Sequence, residues 1–226
     1  MQLGTDTHEL LEEYYNTGKP PIMDETVDDQ VKIMVNGYYE WLATTGSDDY
    51  YNVIGVEEVM TATINDIPFR GICDLRVEDK DTGSHFLIDH KTGADFRLES
   101  YSRFNPQIRL YHAISWVGEG KTVAGTYLNM IKRSKQTSRA KPPFYKRDFT
   151  PLIEDIVKVD IERFTYWGNQ ILEARELETP PPAKLSQSCS YCPYQEPCFK
   201  QDLGGNYEQI LESAFKKEDP NERYNT

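Results

Sequence analysis

An α/β fold with a central β-sheet is the architecture this chain predicts, and three observations predict it. Apolar and β-branched runs at Asn52 to Thr63, Ile67 to Val77 and Phe86 to Ile88 are broken by turn chemistry, as strands are. Segments with apolar residues at helical spacing stand before, between and after those runs. The chain of 226 residues and 26.2 kDa is long enough to bury a real core in one domain with a C-terminal appendage.

Each element has its own reason. Asp6 to about Asn16 reads as helix, Gly18-Lys19-Pro20-Pro21 as a break, and Val27 to about Leu42 as a second helix. Val53 to Lys91 supplies three strands. Asn105 is an N-cap and Pro106 a first helical residue for a helix over Gln107 to Val117. Val123 to Ile131 is a further strand, ahead of a basic stretch. Pro151 to about Leu177 is a long amphipathic helix whose expected buried stripe is Ile153, Ile156, Val157, Phe164, Trp167 and Ile171. Thr179-Pro180-Pro181-Pro182 is a stiff linker, and the tail from Glu218 is polar and frayed. The expected division is a core over 1–178 and an appendage over 179–226, with no internal repeat.

Two short strings carry most of the chemistry: Gly71-Ile72-Cys73-Asp74 and, fifteen residues after Asp74, a run through Asp89 in Ile88-Asp89-His90-Lys91-Thr92-Gly93. Asp79-Lys80-Asp81-Thr82-Gly83-Ser84 lies between them as a turn, giving a β-hairpin. If the turn centres on Asp81-Thr82, facing residues have numbers summing to 163, which sets Asp74 across from Asp89. Like charges there cost stability. A divalent cation such as Mg²⁺ between them removes that cost, since it takes one or two carboxylates and keeps waters for substrate. Side chains alternate along a strand, so Asp89 and Lys91 share a face while His90 points away. Lys91 beside a metal can orient or help deprotonate an attacking water and offset charge on a phosphate. The bland alternative is a salt-bridged surface hairpin whose acids stay hydrated.

Gln107 and Tyr111, four apart, share one helix face. Acid, acid-x-lysine and Gln-x-x-x-Tyr in this order resemble a PD-(D/E)xK nuclease of the RecB-like branch, which includes RecB and AddB nuclease domains and CRISPR-associated RecB-like nucleases. Gly4-Thr5-Asp6-Thr7-His8-Glu9-Leu10-Leu11-Glu12 matches that branch's upstream Gly-x-x-x-His-x-x-Leu-Glu segment. The resemblance runs from His8 to Cys198. It implies a restriction-endonuclease-like core, a mixed β-sheet flanked by helices. It implies Asp74, Asp89 and His8 as metal ligands with the backbone carbonyl of His90, Lys91 as catalytic, and Gln107 and Tyr111 near the scissile phosphate. Glu57 and Glu58 compete for the acidic position that precedes the hairpin.

Cys189, Cys192 and Cys198 fall within ten residues, flanked by Pro and Tyr, which suits thiolate ligation of a metal. Disulfides fit less well, since three clustered thiols leave one unpaired and no basic-then-apolar leader opens the chain. Iron–sulfur nucleases of the RecB-like branch carry a similar trio plus one cysteine upstream of the histidine segment, so the resemblance implies a [4Fe–4S] cluster with an incomplete ligand set. Three explanations stand: a chain that starts downstream of its natural N-terminus, a His or carboxylate as fourth ligand, or a relic. The first is favoured, and zinc is the competing metal. Cys73 neighbours Asp74 and is expected to point into the core.

A formal charge of −12 and a pI near 4.8 argue against a general nucleic-acid coat. Lys132, Arg133, Lys135, Arg139, Lys141, Lys146 and Arg147 nevertheless lie in one acid-free stretch, with Phe144 and Tyr145 nearby. That stretch is a DNA-contacting loop or a solvated hairpin linking two strands. No apolar run is long enough to span a bilayer, and the expectation is a cytoplasmic protein with no membrane partner. The functional expectation is a Mg²⁺- or Mn²⁺-dependent deoxyribonuclease, an exonuclease acting on DNA ends in recombination, repair or replication, alone or beside a helicase, recombinase or other DNA-processing protein. The alternatives are a non-catalytic DNA-binding or assembly module with the same fold and, more distantly, a hydrolase of small phosphate esters.

Overall fold

The computed structural model describes residues 2–96, 103–120, 123–177 and 185–217. Its elements run α1 (Gln2–Thr17), α2 (Asp29–Thr45), β1 (Tyr51–Ile64), β2 (Ile67–Asp79), β3 (His85–Gly93), α3 (Pro106–Gly118), β4 (Val123–Lys132), β5 (Tyr145–Pro151), α4 (Glu154–Arg175), α5 (Gln195–Asp202) and α6 (Glu208–Ala214). The five strands form one sheet in the order β1-β2-β3-β4-β5. All neighbours are antiparallel except β3 and β4, which are parallel and joined through α3. This is the mixed sheet flanked by helices that the resemblance implies. A parallel pair needs a crossover, and α3 supplies it.

Local chemistry sets the boundaries. The Asp28 carboxylate caps α2 by accepting from the Gln30 amide at 2.7 Å, and Gly46 ends it in the left-handed region at φ 62°, donating to Leu42 O. Asn105 caps α3 in the same way, accepting from the Gln107 amide at 2.9 Å, with Pro106 at the first helical position. In the β2–β3 turn Asp79 Oδ1 accepts from the Thr82 amide at 2.8 Å, and Gly83 closes the turn with φ 70°. The resulting register pairs Leu75 with Ile88, Arg76 with Leu87, Val77 with Phe86 and Glu78 with His85, each pair summing to the expected 163.

Alternation along β3 assigns the two faces. Leu87 packs with Met60, Cys73, Val123 and the α3 residues Tyr111 and Ile114. Ile88 packs with Leu75, Val77 and the α1 residue Tyr15. On that second side Leu11, Met34, Tyr38, Leu42 and Ile131 join α1 and α2 to the sheet. Burying each such side chain contributes roughly 1.5–3 kcal/mol before conformational entropy is subtracted.

The alternation breaks at one level of the sheet. Cys73 packs on the α3 side, while Leu75, two residues on, packs on the α1 side. Across the ladder Met60 and Val56 show the same switch. Val56 pairs with Leu75 and Glu58 with Cys73, so Glu57 and Asp74 sit opposite each other at the switch. Glu57 occupies the left-handed region at φ 48°, a strained backbone for a residue with a side chain.

The stripe expected on α4 needs correction. Val157 is buried and Phe164 half-buried, but Ile153, Ile156, Trp167 and Ile171 are exposed. The helix turns Val157, Asp160 and Gly168 inward instead. The reason is a charge: the fully buried Asp160 carboxylate is held by Arg109 of α3 and Arg163, and that ion pair sets the rotation of the helix. The helix also starts at Glu154, because Pro151 ends β5.

The chain divides into two compact units, Met1–Gln170 and Ile171–Thr226. The second contains a 3₁₀ turn at Gln187–Tyr191, then α5 and α6, with Tyr194 stacked on Phe215 at 4.8 Å. The linker expected at Thr179 to Pro182 and the tail expected from Glu218 lie outside the described residues. Among the described residues no helix is long and apolar enough to cross a membrane.

Candidate active site

The break in alternation gathers three candidate ligands from three elements. His8 of α1, Glu57 of β1 and Asp74 of β2 each bring one ligand atom to within 4.8 Å of the others. His8 Nδ1 is 3.6 Å from Asp74 Oδ2. The same oxygen accepts from the backbone amide of His90 at 2.6 Å. The β2–β3 ladder ends one pair earlier, at Leu75 and Ile88, so the Asp74 side chain caps a β3 amide where the strands part. Of the two competing acids, Glu57 is the one that reaches the cluster. Glu58 turns to Arg76, with Oε1 3.1 Å from Nη1.

Asp89 and Lys91 share the α3 face, as alternation requires. Lys91 Nζ is 2.9 Å from Asp89 Oδ1. Asp89 is fully buried, and its other oxygen, Oδ2, has no hydrogen-bond partner among the described residues. Burial first, then the charge of Asp74, holds the Asp89 carboxyl well above the usual carboxylate range, and Lys91 opposes that rise. Burial, then Asp74, Glu12 and Asp89, push Glu57 up to about 7. Crowded carboxylates with an orphaned buried oxygen carry an electrostatic cost that a bound cation would relieve. Imidazole and carboxylate oxygens are a suitable donor set for a hard divalent ion such as Mg²⁺ or Mn²⁺.

His90 points to the opposite face, also as alternation requires. Its ring is buried, stacked on Tyr15 at 5.6 Å and edge-on to Tyr38 at 5.9 Å. Burial pushes it well below the usual imidazole range, so it is neutral at pH 7. Behind it lies a polar network that sequence spacing could not show, since its members come from five elements and loops. Asn129 Nδ2 donates to Tyr38 Oη at 2.7 Å, and Arg147 Nε donates to Asn129 Oδ1 at 2.6 Å. Asp48 accepts from Arg147 Nη2 and from Tyr15 Oη, each at 2.7 Å.

Gln107 and Tyr111 meet as their spacing requires, with Gln107 Nε2 donating to Tyr111 Oη at 2.7 Å. The Tyr111 hydroxyl in turn donates to Ile72 O, and the residue is 2 % exposed. Gln107 is exposed and is the member of the pair open to a ligand. Gly71 allows the Tyr111 ring to lie on β2: a Cβ at position 71 would stand 2.6 Å from Tyr111 Cε1.

The cysteines behave differently. Cys73 is fully buried, with Sγ donating to Leu75 O at 3.3 Å, as expected of a core thiol. Burial raises its pKa far above the ordinary thiol value. Cys189, Cys192 and Cys198 are free thiols, and Cys189 Sγ accepts from the Ser186 amide at 3.4 Å. Among the described residues, His8, Glu57 and Asp74 are the group whose ligand atoms lie within 4.8 Å of one another, and the three sulfurs are not that close.

The model of the PD-(D/E)XK nuclease superfamily matches residues 1–199. The chain belongs to that superfamily. Among solved structures it is similar to a candidate exonuclease from Eubacterium rectale, with a TM-score of 0.51 and 11% identity over 84% of this chain and 74% of that one. An alkaline exonuclease from Laribacter hongkongensis, LHK-Exo, matches with a TM-score of 0.37 and 13% identity over 75% of this chain and 81% of that one. No curated protein matches the chain.

Proposed function

We propose that the chain is a divalent-metal-dependent deoxyribonuclease of the RecB-like branch that works from DNA ends. One observation carries the reading: His8, Glu57 and Asp74 converge beside a Lys91–Asp89 pair whose second carboxylate oxygen is buried and unpartnered. Superfamily membership supports nuclease chemistry. The similarity to exonucleases agrees with end-directed action but contributes fold alone at this identity.

In this reading His8, Glu57 and Asp74 would hold Mg²⁺ or Mn²⁺, with the unpartnered Oδ2 of Asp89 and the backbone carbonyl of His90 as the further ligands. A cation held there supplies Lewis-acid polarisation of the phosphate and a more acidic water. Lys91, fixed by Asp89 at 2.9 Å, is placed to orient an attacking water towards phosphorus and to set an ammonium against charge developing on the phosphate oxygens. Water adds to phosphorus as the bond to the leaving oxygen breaks; the attacking water gives up a proton to solvent, and the leaving oxygen takes one from solvent. Gln107, at the first turn of α3, offers its amide to a neighbouring phosphate, and Tyr111 positions Gln107. A role in recombination, repair or replication, in the cytoplasm and beside a helicase or recombinase, extends the proposal. Cys189, Cys192 and Cys198 take no part in the hydrolytic step and stand as a thiolate set for a [4Fe–4S] cluster. Iron and sulfide analysis of anaerobically purified protein checks that role: four irons per chain would support it, and their absence would remove it.

The test of end-directed cleavage is a time course on end-labelled linear and closed circular DNA, single- and double-stranded, with Mg²⁺, Mn²⁺ or EDTA. Cation-dependent loss of linear DNA alone is expected. Equal cutting of closed circles would replace the exonuclease reading with an endonuclease one.

A further inference from the structure

We infer that the β4–β5 hairpin is a phosphate-backbone rail that carries a DNA strand to the active site; this rests on the nuclease reading above. The residues from Lys132 to Arg147 hold seven of the chain's 25 Lys and Arg and none of its 37 Asp and Glu. On a chain of formal charge −12, that concentration is the surface element suited to a polyanion. Arg133, Lys135, Arg139 and Lys141 are exposed. No ion pair engages any of the four among the described residues.

Their position follows from the sheet. β3 and β4 are parallel, with Lys91 beside Met130 and Gly93 beside Lys132, and the Arg133 amide donates to Gly93 O at 2.6 Å. The hairpin therefore leaves the sheet at the end where β3 delivers Lys91. Strands lie about 4.8 Å apart and rise about 3.3 Å per residue, so the backbone at Arg133 is on the order of 10 Å from Lys91. That is one or two phosphates along a strand. The hairpin is anchored rather than loose, since Tyr145 Oη donates to Met34 O at 3.0 Å and its ring lies 6.2 Å from Trp41.

The same anchoring withdraws Tyr145 from base stacking. Tyr145 is turned inward, and Arg147 is committed to Asp48 and Asn129. What remains outward is cationic and flexible, so the contact is to phosphates and is indifferent to sequence.

The test is equilibrium binding of a fluorescein-labelled duplex with a single-stranded overhang, in EDTA across a salt series, by wild type and by R133Q/K135Q/R139Q/K141Q. Steady-state cleavage in Mg²⁺ is run alongside. The quadruple variant is expected to bind roughly tenfold or more weakly at physiological salt, with the slope of log K against log salt reduced by roughly 3.6. Its KM should rise while kcat stays within about twofold. An Arg133→Lys/Arg139→Lys variant should keep wild-type affinity and slope, since charge rather than fork geometry is read. If the quadruple variant melts early, Lys135→Gln and Arg139→Gln singly should each lower the slope by roughly 0.9. An unchanged slope and KM would overturn the inference, as would a wild type that binds no DNA. A wild type that binds with the expected slope but never cleaves would leave the rail standing and sink the nuclease reading instead.

Discussion

The His90 amide donates to the Asp74 carboxylate at 2.6 Å, at the level where β2 and β3 stop pairing. One oxygen thus has a structural duty to β3 and a place in the His8–Glu57–Asp74 cluster. Substitutions at Asp74 should separate the two. Asp74→Asn keeps an acceptor for the amide and removes a charge from a crowded set of acids. It should fold with stability within about 1 kcal/mol of wild type and lose cleavage by about 10³-fold or more. Asp74→Ala leaves the amide without its acceptor and should melt lower than Asp74→Asn. Thermal melts in EDTA check the order, and a variant with wild-type cleavage would remove Asp74 from the site.

Glu57, raised to about 7, and Asp89, raised well above the usual range, couple the cation to pH. Unfolded, both groups titrate near 4. The folded chain therefore holds protons that the unfolded chain has released, and the metal-free fold loses stability as pH rises from about 4 through 7. A cation must displace those protons. The rise in melting temperature caused by Mg²⁺ or Mn²⁺ should be small at pH 5 and grow through pH 8. A rise that shrinks with pH would contradict the assignment of these acids.

Gly71 and Tyr111 are matched, since a Cβ at 71 would stand 2.6 Å from the ring. Gly71→Ala should displace Tyr111, break its hydrogen bond to Ile72 O and shift Gln107. A stability loss of about 1–3 kcal/mol is expected, with a fall in activity that Tyr111→Phe shares only in part. Denaturant melts and kcat/KM on both variants check this.

His112 is buried, with Nε2 2.9 Å from Thr126 Oγ1, and burial lowers its pKa to about 4. Its folded pKa lies below the unfolded value near 6.5, so the fold is fully stable above that value and loses stability as pH falls towards 4. The contribution is on the order of 3 kcal/mol. In His112→Asn the loss between pH 6.5 and 4 should be shallower than in wild type by that order. Parallel curves would show that His112 does not titrate in this window.

Much of this was legible because it is local. The Asp79–Ser84 turn fixes the β2–β3 register, and strand period then places Asp89 with Lys91 and turns His90 away. Helix period likewise joins Gln107 to Tyr111. Where long-range charge decides, spacing fails. The α4 stripe departs from apolar period, which puts apolar residues inward, because Arg109 pairs with the buried Asp160. The choice between Glu57 and Glu58 turned on a φ of 48° and on Arg76, neither of which a strand pattern encodes. The network behind His90 joins residues as far apart as Asp48 and Arg147, beyond any local signal.

In the proposed site Lys91, held by Asp89, completes a metal-dependent centre for phosphodiester hydrolysis. The most direct measurement is the single-turnover rate of DNA cleavage by wild type and Lys91→Ala, prepared alike, in Mg²⁺, Mn²⁺ and EDTA, with melting temperatures taken on the same samples. Rapid cleavage by wild type with either cation, none in EDTA, and a loss of about 10³-fold or more in a variant that stays folded are predicted. Cleavage by Lys91→Ala at the wild-type rate would contradict the account.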